Sequence, residues 1–355
     1  MSPVPSCSVS RPRHPRRSHP GYKDRHNHKP RKCKMRKIDT LFLRCSHFNP
    51  TDDELRRLAA SYPQLDVTVT DEQAYTDAQL ASAEIIVGFP KAKDLPKAKN
   101  LRWLQTPSAG VGPYVDKNLY QHSNFMLTSA VGTYGRQIGD HVMGMVIAFN
   151  HLFLTYHDQM KEKRWERYFS VTDLWESTIL LIGLGDIGTN VAKRAKAHEM
   201  HVVAIKRTIT DKPDYVDELY TTDRLDEMLP KADYVVLCTA STPQTENLMD
   251  ARRIGLMKQG SYLINVARGA LADQDAIVAA LESKHLAGAG FDATEPEPLP
   301  KESKLWSFPN VLITPHSSGL SPSDPHMVFE IFLDNLGQYL GDRNMKNLVD
   351  FDRKY

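Results

Sequence analysis

Ile179-Leu-Leu-Ile-Gly183-Leu-Gly185-Asp-Ile-Gly188 decides the fold. An apolar run opens it, the glycines follow as G-x-G-x-x-G, and a helical pattern begins at once. A buried strand that turns directly into a helix is the context in which this spacing carries meaning. Gly183 permits the tight turn, Gly185 lets backbone approach a pyrophosphate, and Gly188 lets helix pack on strand. Asp186 and Ile187 complete the turn, and the free N–H groups of the helix start favour phosphate oxygens. The competing reading is a tight strand–helix turn that holds no ligand.

The surrounding pattern repeats strand and helix. After the turn come helix Asp186–Ala197, strand Val202–Lys206, short helix Leu225–Leu229, strand Tyr234–Cys238, helix Arg252–Met257 and strand Tyr262–Val266. Helix Gln274–Ser283 and strands Ala287–Phe291 and Val311–Ile313 close this block. Before it, strand Ile38–Arg44, a helix Asp53–Tyr62 capped by Thr51 or Asp52, and strands Val67–Val69, Glu84–Gly88 and Leu101–Gln105 form another. Such alternation marks parallel sheets. Gln137–Tyr156 reads as one long apolar helix joining the two blocks, and Met327–Tyr339 as the last helix.

The second strand of the glycine block bears on cofactor choice. An acid about 20 residues past the turn would hold the ribose hydroxyls of NAD. Here Lys206, Arg207 and Thr208 stand there instead. Two cations and a hydroxyl suit a 2′-phosphate, so NADP is favoured over NAD. The alternative leaves both cations in solvent and keeps NAD. Thr239, after the strand ending at Cys238, is counted on the same cofactor path.

Composition limits the rest. The 355 residues carry a net charge of +2, but residues 1–37 hold 12 Lys/Arg and one acid, leaving 33 bases against 42 acids in the body. An acidic body disfavours a nucleic-acid surface. No apolar run reaches the length of a membrane span. Cys7, Cys33, Cys45 and Cys238 form no C-x-x-C pair, which argues against zinc and for a reducing compartment, the cytoplasm. Residues 1–37 lack the apolar residues to form a core and read as a solvated tail. Two alternatives stand beside it: Met35 as the true start, or a mitochondrial transit peptide, although six prolines break its helix.

Four segments in order resemble the D-isomer-specific 2-hydroxyacid dehydrogenase family: the glycine turn, Asn265-Val-Ala-Arg268-Gly269, Gly290-Phe-Asp292-Ala-Thr-Glu-Pro-Glu297-Pro-Leu299-Pro300, and Thr314-Pro315-His316. Thr242-Pro-Gln-Thr245 is a fainter fifth. The resemblance runs from Ile38 to the C-terminus. It implies a Rossmann-type nucleotide domain, 139–317, inserted into a smaller flavodoxin-like substrate domain, 38–138 and 318–355, and a homodimer. The helix 137–156 and the arm Lys161–Tyr168, with Trp165 and Tyr168 as anchors, are its expected seam.

Reduction of a 2-oxo acid to a D-2-hydroxy acid needs a cation for the carboxylate, an acid for the carbonyl oxygen, and a group that holds that acid. Arg268 offers a bidentate fork, His316 is the natural acid/base because an unperturbed imidazole has a pKa near neutrality, and Glu297 would hold the other imidazole nitrogen. By resemblance these are the family's Arg, Glu and His. The family spacing selects Glu297 over Glu295, and an acid there disfavours formate as substrate. Asp292 is expected to bond the nicotinamide carboxamide, and the backbone of Ser108, Ala109 and Gly110 to hold the substrate carboxylate. No metal is called for. Ala240 replaces a usual proline, and Asp140-His141 replaces Glu-His or Ala-Glu. The rival function is a dinucleotide-sensing, corepressor-like interaction protein of the same fold. Phosphoglycerate, glyoxylate or hydroxypyruvate, and branched 2-oxo acids all remain open as substrates.

Overall fold

The computed structural model describes Arg36–Ile209 and Asp211–Lys354. The expectations for the basic tail therefore fall almost wholly outside the described residues. Among these residues no helix is long and apolar enough to cross a membrane.

Strands β1 (Ile38–Arg44), β2 (Leu65–Asp71), β3 (Ile85–Val87), β4 (Trp103–Gln105) and β5 (Met126–Thr128) form one parallel sheet, ordered β2-β1-β3-β4-β5. Strands β6 (Thr178–Ile182), β7 (His201–Ile205), β8 (Glu218–Tyr220), β9 (Tyr234–Leu237), β10 (Ser261–Asn265), β11 (Leu286–Phe291) and β12 (Val311–Ile313) form the other, ordered β12-β11-β10-β9-β6-β7-β8. It too is parallel throughout. The first order is flavodoxin-like and the second is that of the Rossmann fold. In each, the order reverses beside the first strand, and ligands of open α/β sheets bind beyond the strand ends at that point.

The helices are α1 (Asp52–Ser61), α2 (Asp77–Ser82), α3 (Gly135–Asn150), α4 (Phe153–Lys161), α5 (Asp186–Ala197), α6 (Leu225–Met228), α7 (Ala251–Leu256), α8 (Gln274–Glu282) and α9 (Asp324–Leu340). Thr51, not Asp52, caps α1, and Glu54 returns a bond to the cap in a full capping box. Helix α9 comes from the far end of the chain yet packs on the first sheet. Phe332 stacks on Trp103 at 5.4 Å, and Asn335 Nδ2 donates to Gln105 Oε1 at 3.3 Å. Phe42, Trp103, Phe332 and Leu336 are fully buried there.

One sequence expectation needs correction. The helix Gln137–Tyr156 is two helices. Helix α3 ends at Asn150, Leu152 takes a left-handed φ of 56°, and α4 begins at Phe153. No Gly or Pro marks the break and the apolar pattern runs through it, so the spacing alone showed nothing. The apolar residues of α3 are also spent inside the chain: Ile138, Val142, Met143, Met145, Val146 and Phe149 are buried. The exposed apolar residues lie beyond it. Phe153, Met160, Trp165, Phe169 and Val171 form the exposed stretch, with Trp165 at 93% and Phe169 at 86% exposure. The boundary expected at 138/139 lies inside α3.

Candidate active site

The glycine turn follows the physics of its spacing. Gly183 has a φ of +112°, and a Cβ there would lie 2.6 Å from the Cys238 carbonyl oxygen. Gly188 faces the Gly183 carbonyl so closely that any Cβ would overlap it. Gly185 is different, because no protein atom lies within 4 Å of where its Cβ would stand. The open space sits at the N-terminus of α5, beside the β6–β9 reversal, where free N–H groups and the helix dipole favour an anion. The residues present therefore fit a dinucleotide pyrophosphate. Cys238 closes the back of the turn, with Sγ donating to the Gly183 carbonyl at 2.9 Å, and burial pushes this thiol up to about 12.

The Asp186 side chain turns away from that space. Its Oδ2 accepts the N–H groups of Gly132 at 3.2 Å and Gly135 at 3.0 Å, tying the start of α5 to the start of α3. The sequence placed Asp186 on the cofactor, whereas its carboxylate joins two helix starts. Ile187 packs against the core, and Thr239 is half-buried past β9. Lys206 follows β7, its N–H donating to the Tyr220 carbonyl at 2.9 Å, and Arg207 and Thr208 are exposed beyond it. The Thr242-Pro-Gln-Thr245 segment is a turn closed by Thr245, which donates to the Ala240 carbonyl at 2.8 Å.

Two of the three chemical residues are in direct contact. His316 Nδ1 and Glu297 Oε2 are 2.9 Å apart. A carboxylate only accepts, so Nδ1 carries a hydrogen and the opposite nitrogen, Nε2, is left to exchange a proton. The two side chains are 47% and 40% exposed, so this nitrogen is reachable. The other Glu297 oxygen accepts the Thr294 N–H at 3.2 Å, which fixes the carboxylate. His316 itself has a φ of 51°, a left-handed conformation costing about 1–2 kcal/mol. The Asp292 carbonyl pins it there, accepting the His316 N–H at 2.9 Å.

Arg268 follows β10. Asn265, 1% exposed, shapes its turn: Nδ2 donates to the Arg268 carbonyl at 2.8 Å and Oδ1 accepts the Ala267 N–H at 3.1 Å. The Arg268 guanidinium reaches across to Gly110, whose missing side chain makes the room. Gly110 belongs to the turn after β4, in which Ser108 Oγ donates to the Gly110 carbonyl at 2.6 Å and Ala109 is exposed. A cation from the second sheet thus faces a backbone turn of the first.

Asp292 follows β11. It is 3% exposed, and both carboxylate oxygens are taken by the loop that carries His316. Oδ1 accepts from Thr314 Oγ1 at 2.6 Å, Ser317 N–H at 2.8 Å and Ser318 N–H at 3.1 Å, and Oδ2 accepts from Ser318 N–H and Oγ. Burial alone pushes this carboxyl upward, but the Ser318 and Thr314 hydroxyls and the two N–H groups outweigh it and hold it below the usual carboxylate range. These bonds fix the loop that carries His316. Asn265, Thr314 and Ser318 lay within or beside the quoted motifs, but nothing in their spacing revealed these bonds.

Comparison with known proteins agrees with this geometry. Residues 143–318 match the family model described as D-isomer specific 2-hydroxyacid dehydrogenase, NAD binding domain. A glyoxylate reductase of Thermofilum pendens is 30% identical over 252 residues, covering 69% of this chain and 74% of that protein. A glycerate dehydrogenase of Methylorubrum extorquens is 27% identical over 300 residues, 81% of this chain and 92% of that one. Among solved structures, a D-isomer specific 2-hydroxyacid dehydrogenase from Xanthobacter autotrophicus Py2, in complex with NADPH and MES, has a TM-score of 0.78 and 26% identity, covering 90% of this chain and 100% of that one. With the motifs, the strand orders and the Glu297–His316 contact, these matches lead to one conclusion: the chain belongs to the D-isomer specific 2-hydroxyacid dehydrogenase family.

Proposed function

We propose that the protein reduces a small 2-oxo acid to the D-2-hydroxy acid, reversibly, with NADPH preferred over NADH. The observation that carries this reading is the 2.9 Å contact of His316 Nδ1 with Glu297, which leaves Nε2 to serve as acid. A bound nicotinamide supplies the hydride. Arg268 binds the substrate carboxylate through its fork, opposite the backbone of Ser108, Ala109 and Gly110. His316 Nε2 gives its proton to the carbonyl oxygen as the carbon is reduced, and takes it back in the reverse direction. Glu297 keeps the ring oriented throughout. The two sheets with their helices are the cofactor and substrate lobes, and the cleft between them excludes water on closing. Relatives named glyoxylate/hydroxypyruvate reductase and glycerate dehydrogenase support substrates of two or three carbons.

A panel of 2-oxo acids with NADPH or NADH tests the reading. Oxidation of the cofactor by glyoxylate or hydroxypyruvate is expected. Tight dinucleotide binding with no turnover on any 2-oxo acid would instead favour a dinucleotide sensor.

Lys206, Arg207 and Thr208 support the NADP preference. Each charge-assisted bond is worth about 1.5–3 kcal/mol, and exposure reduces it. A preference of roughly ten- to a hundredfold in kcat/KM is expected at about 1.4 kcal/mol per factor of ten. Arg207→Ala should weaken NADPH and spare NADH, and Lys206→Asp should shift preference toward NADH. Equal kcat/KM for the two cofactors in the native protein would remove the NADP assignment without touching the triad.

The exposed band of Phe153, Met160, Trp165 and Phe169 supports a homodimer. Its arm is already shaped for contact. Tyr156 OH accepts the Tyr168 N–H at 3.1 Å, and Gln159 Oε1 accepts the Glu166 N–H at 3.2 Å. Sedimentation at micromolar concentration should give twice the 40.2 kDa chain mass, and Trp165→Asp should shift it toward one chain. A native mass of a single chain would end this assignment.

A further inference from the structure

The His316 loop also takes a hydrogen bond from helix α3. Thr314, two residues before His316, has a hydroxyl with one proton and three neighbours: Asp292 Oδ1 at 2.6 Å, His141 Nε2 at 3.1 Å and, farthest, the Phe291 carbonyl at 3.5 Å. His141 lies half-buried on α3. Around Asp292 the other bonded groups are donors, namely the N–H groups of Ser317 and Ser318 and the Ser318 hydroxyl. The carboxylate is therefore ionised and only accepts. The Thr314 proton must point to it, since two oxygens 2.6 Å apart with no proton between them would repel. Thr314 then offers His141 a lone pair alone. Nε2 of His141 must carry the hydrogen and donate.

We propose that His141 is a positioning residue, the outer end of a chain of donors running His141 to Thr314 to Asp292 that holds His316 in its left-handed conformation. Helix α3 is also bonded at its first turn to Asp186 at the start of the glycine turn. One rigid helix therefore sets the acid loop with respect to the dinucleotide turn. The geometry needs a donor at this point and nothing else from the ring, because protonation of the second nitrogen leaves the Nε2–H in place.

The proposal rests on the oxidoreductase reading, and its test separates the two. With saturating cofactor, His141→Leu should lower kcat about tenfold, the order of loss for small misplacement of a reacting group. KM for NADPH should stay within about twofold, because the donor chain does not touch the glycine turn. His141→Gln, which returns an N–H donor at similar reach, should recover most of kcat. Thr314→Val should lose kcat as His141→Leu does, and the double variant should be no worse than Thr314→Val alone, since both cut one chain. Native kcat in His141→Leu, equal loss in His141→Gln, or additive losses would each overturn the assignment. Should His141→Leu not fold, Thr314→Val against Thr314→Ser poses the same question. NMR of protein labelled with 15N-histidine reads the tautomer without turnover. The Nε2–H form is expected for His141, and the Nδ1–H form would overturn the proposal even in a protein that reduces nothing.

Discussion

His316→Ala should lower kcat by roughly 100-fold or more, because a positioned general acid commonly supplies about 10²–10⁴. Dinucleotide affinity should hardly change, since the imidazole bonds to Glu297 and not to the glycine turn. Alanine is a harsh substitute at a φ of 51°, a region that asparagine tolerates far better. His316→Asn is therefore the sharper variant: the loop should keep its shape on Asp292 while the proton donor is gone. Both variants should lose turnover to a similar extent, and only His316→Ala should also lower the melting temperature. Native turnover in either one would remove His316 from the mechanism.

Gly188→Ala and Gly185→Ala form the second pair, and they should fail differently. A Cβ at Gly188 overlaps the Gly183 carbonyl oxygen and stands 3.2 Å from Cys238 Sγ. The obstacle is backbone, so no side chain can swing aside. Strain of this kind costs about 1–3 kcal/mol or more, and the turn it distorts is the one that would cradle the pyrophosphate. Gly188→Ala should lose both stability and NADPH binding. At Gly185 the space is clear of protein atoms within 4 Å and φ is −92°. Gly185→Ala should fold within about 0.5 kcal/mol of the native protein, yet bind NADPH at least tenfold more weakly, because its methyl group stands where the ligand must approach. Thermal denaturation and fluorescence titration with NADPH separate the two effects. Native affinity in Gly185→Ala would mean that no phosphate comes near that turn.

This contrast also shows which features the sequence carried. Backbone demands leave a residue type behind, and so the glycine turn and helix Asp186–Ala197 were legible to the residue. The pairing of Glu297 with His316 was legible too, and the structure sets the two 2.9 Å apart. Side-chain bonds leave no such trace. The carboxylates of Asp186 and Asp292 bond the donors that the fold brings near, and those come from residues 132–135 and 314–318, which no spacing in the sequence announced. Short elements were lost for a different reason. β5 and β8 have three residues each, too few to show a period, and α2 has six. The break at Leu152 had no Gly or Pro to announce it.

The path of the chain through the first sheet has a consequence in time. Strands β1 to β5 are complete at Thr128, but the aromatic ring that covers Trp103 belongs to Phe332. At about 5–20 residues per second the ribosome needs roughly 10–40 s to cross that interval. Throughout it the apolar face of Phe42 and Trp103 lacks its lid, while the whole seven-stranded sheet is made from one unbroken stretch. The half of the molecule that is synthesised first is therefore the half that is finished last, and a nascent chain must shelter that face until its final helix emerges.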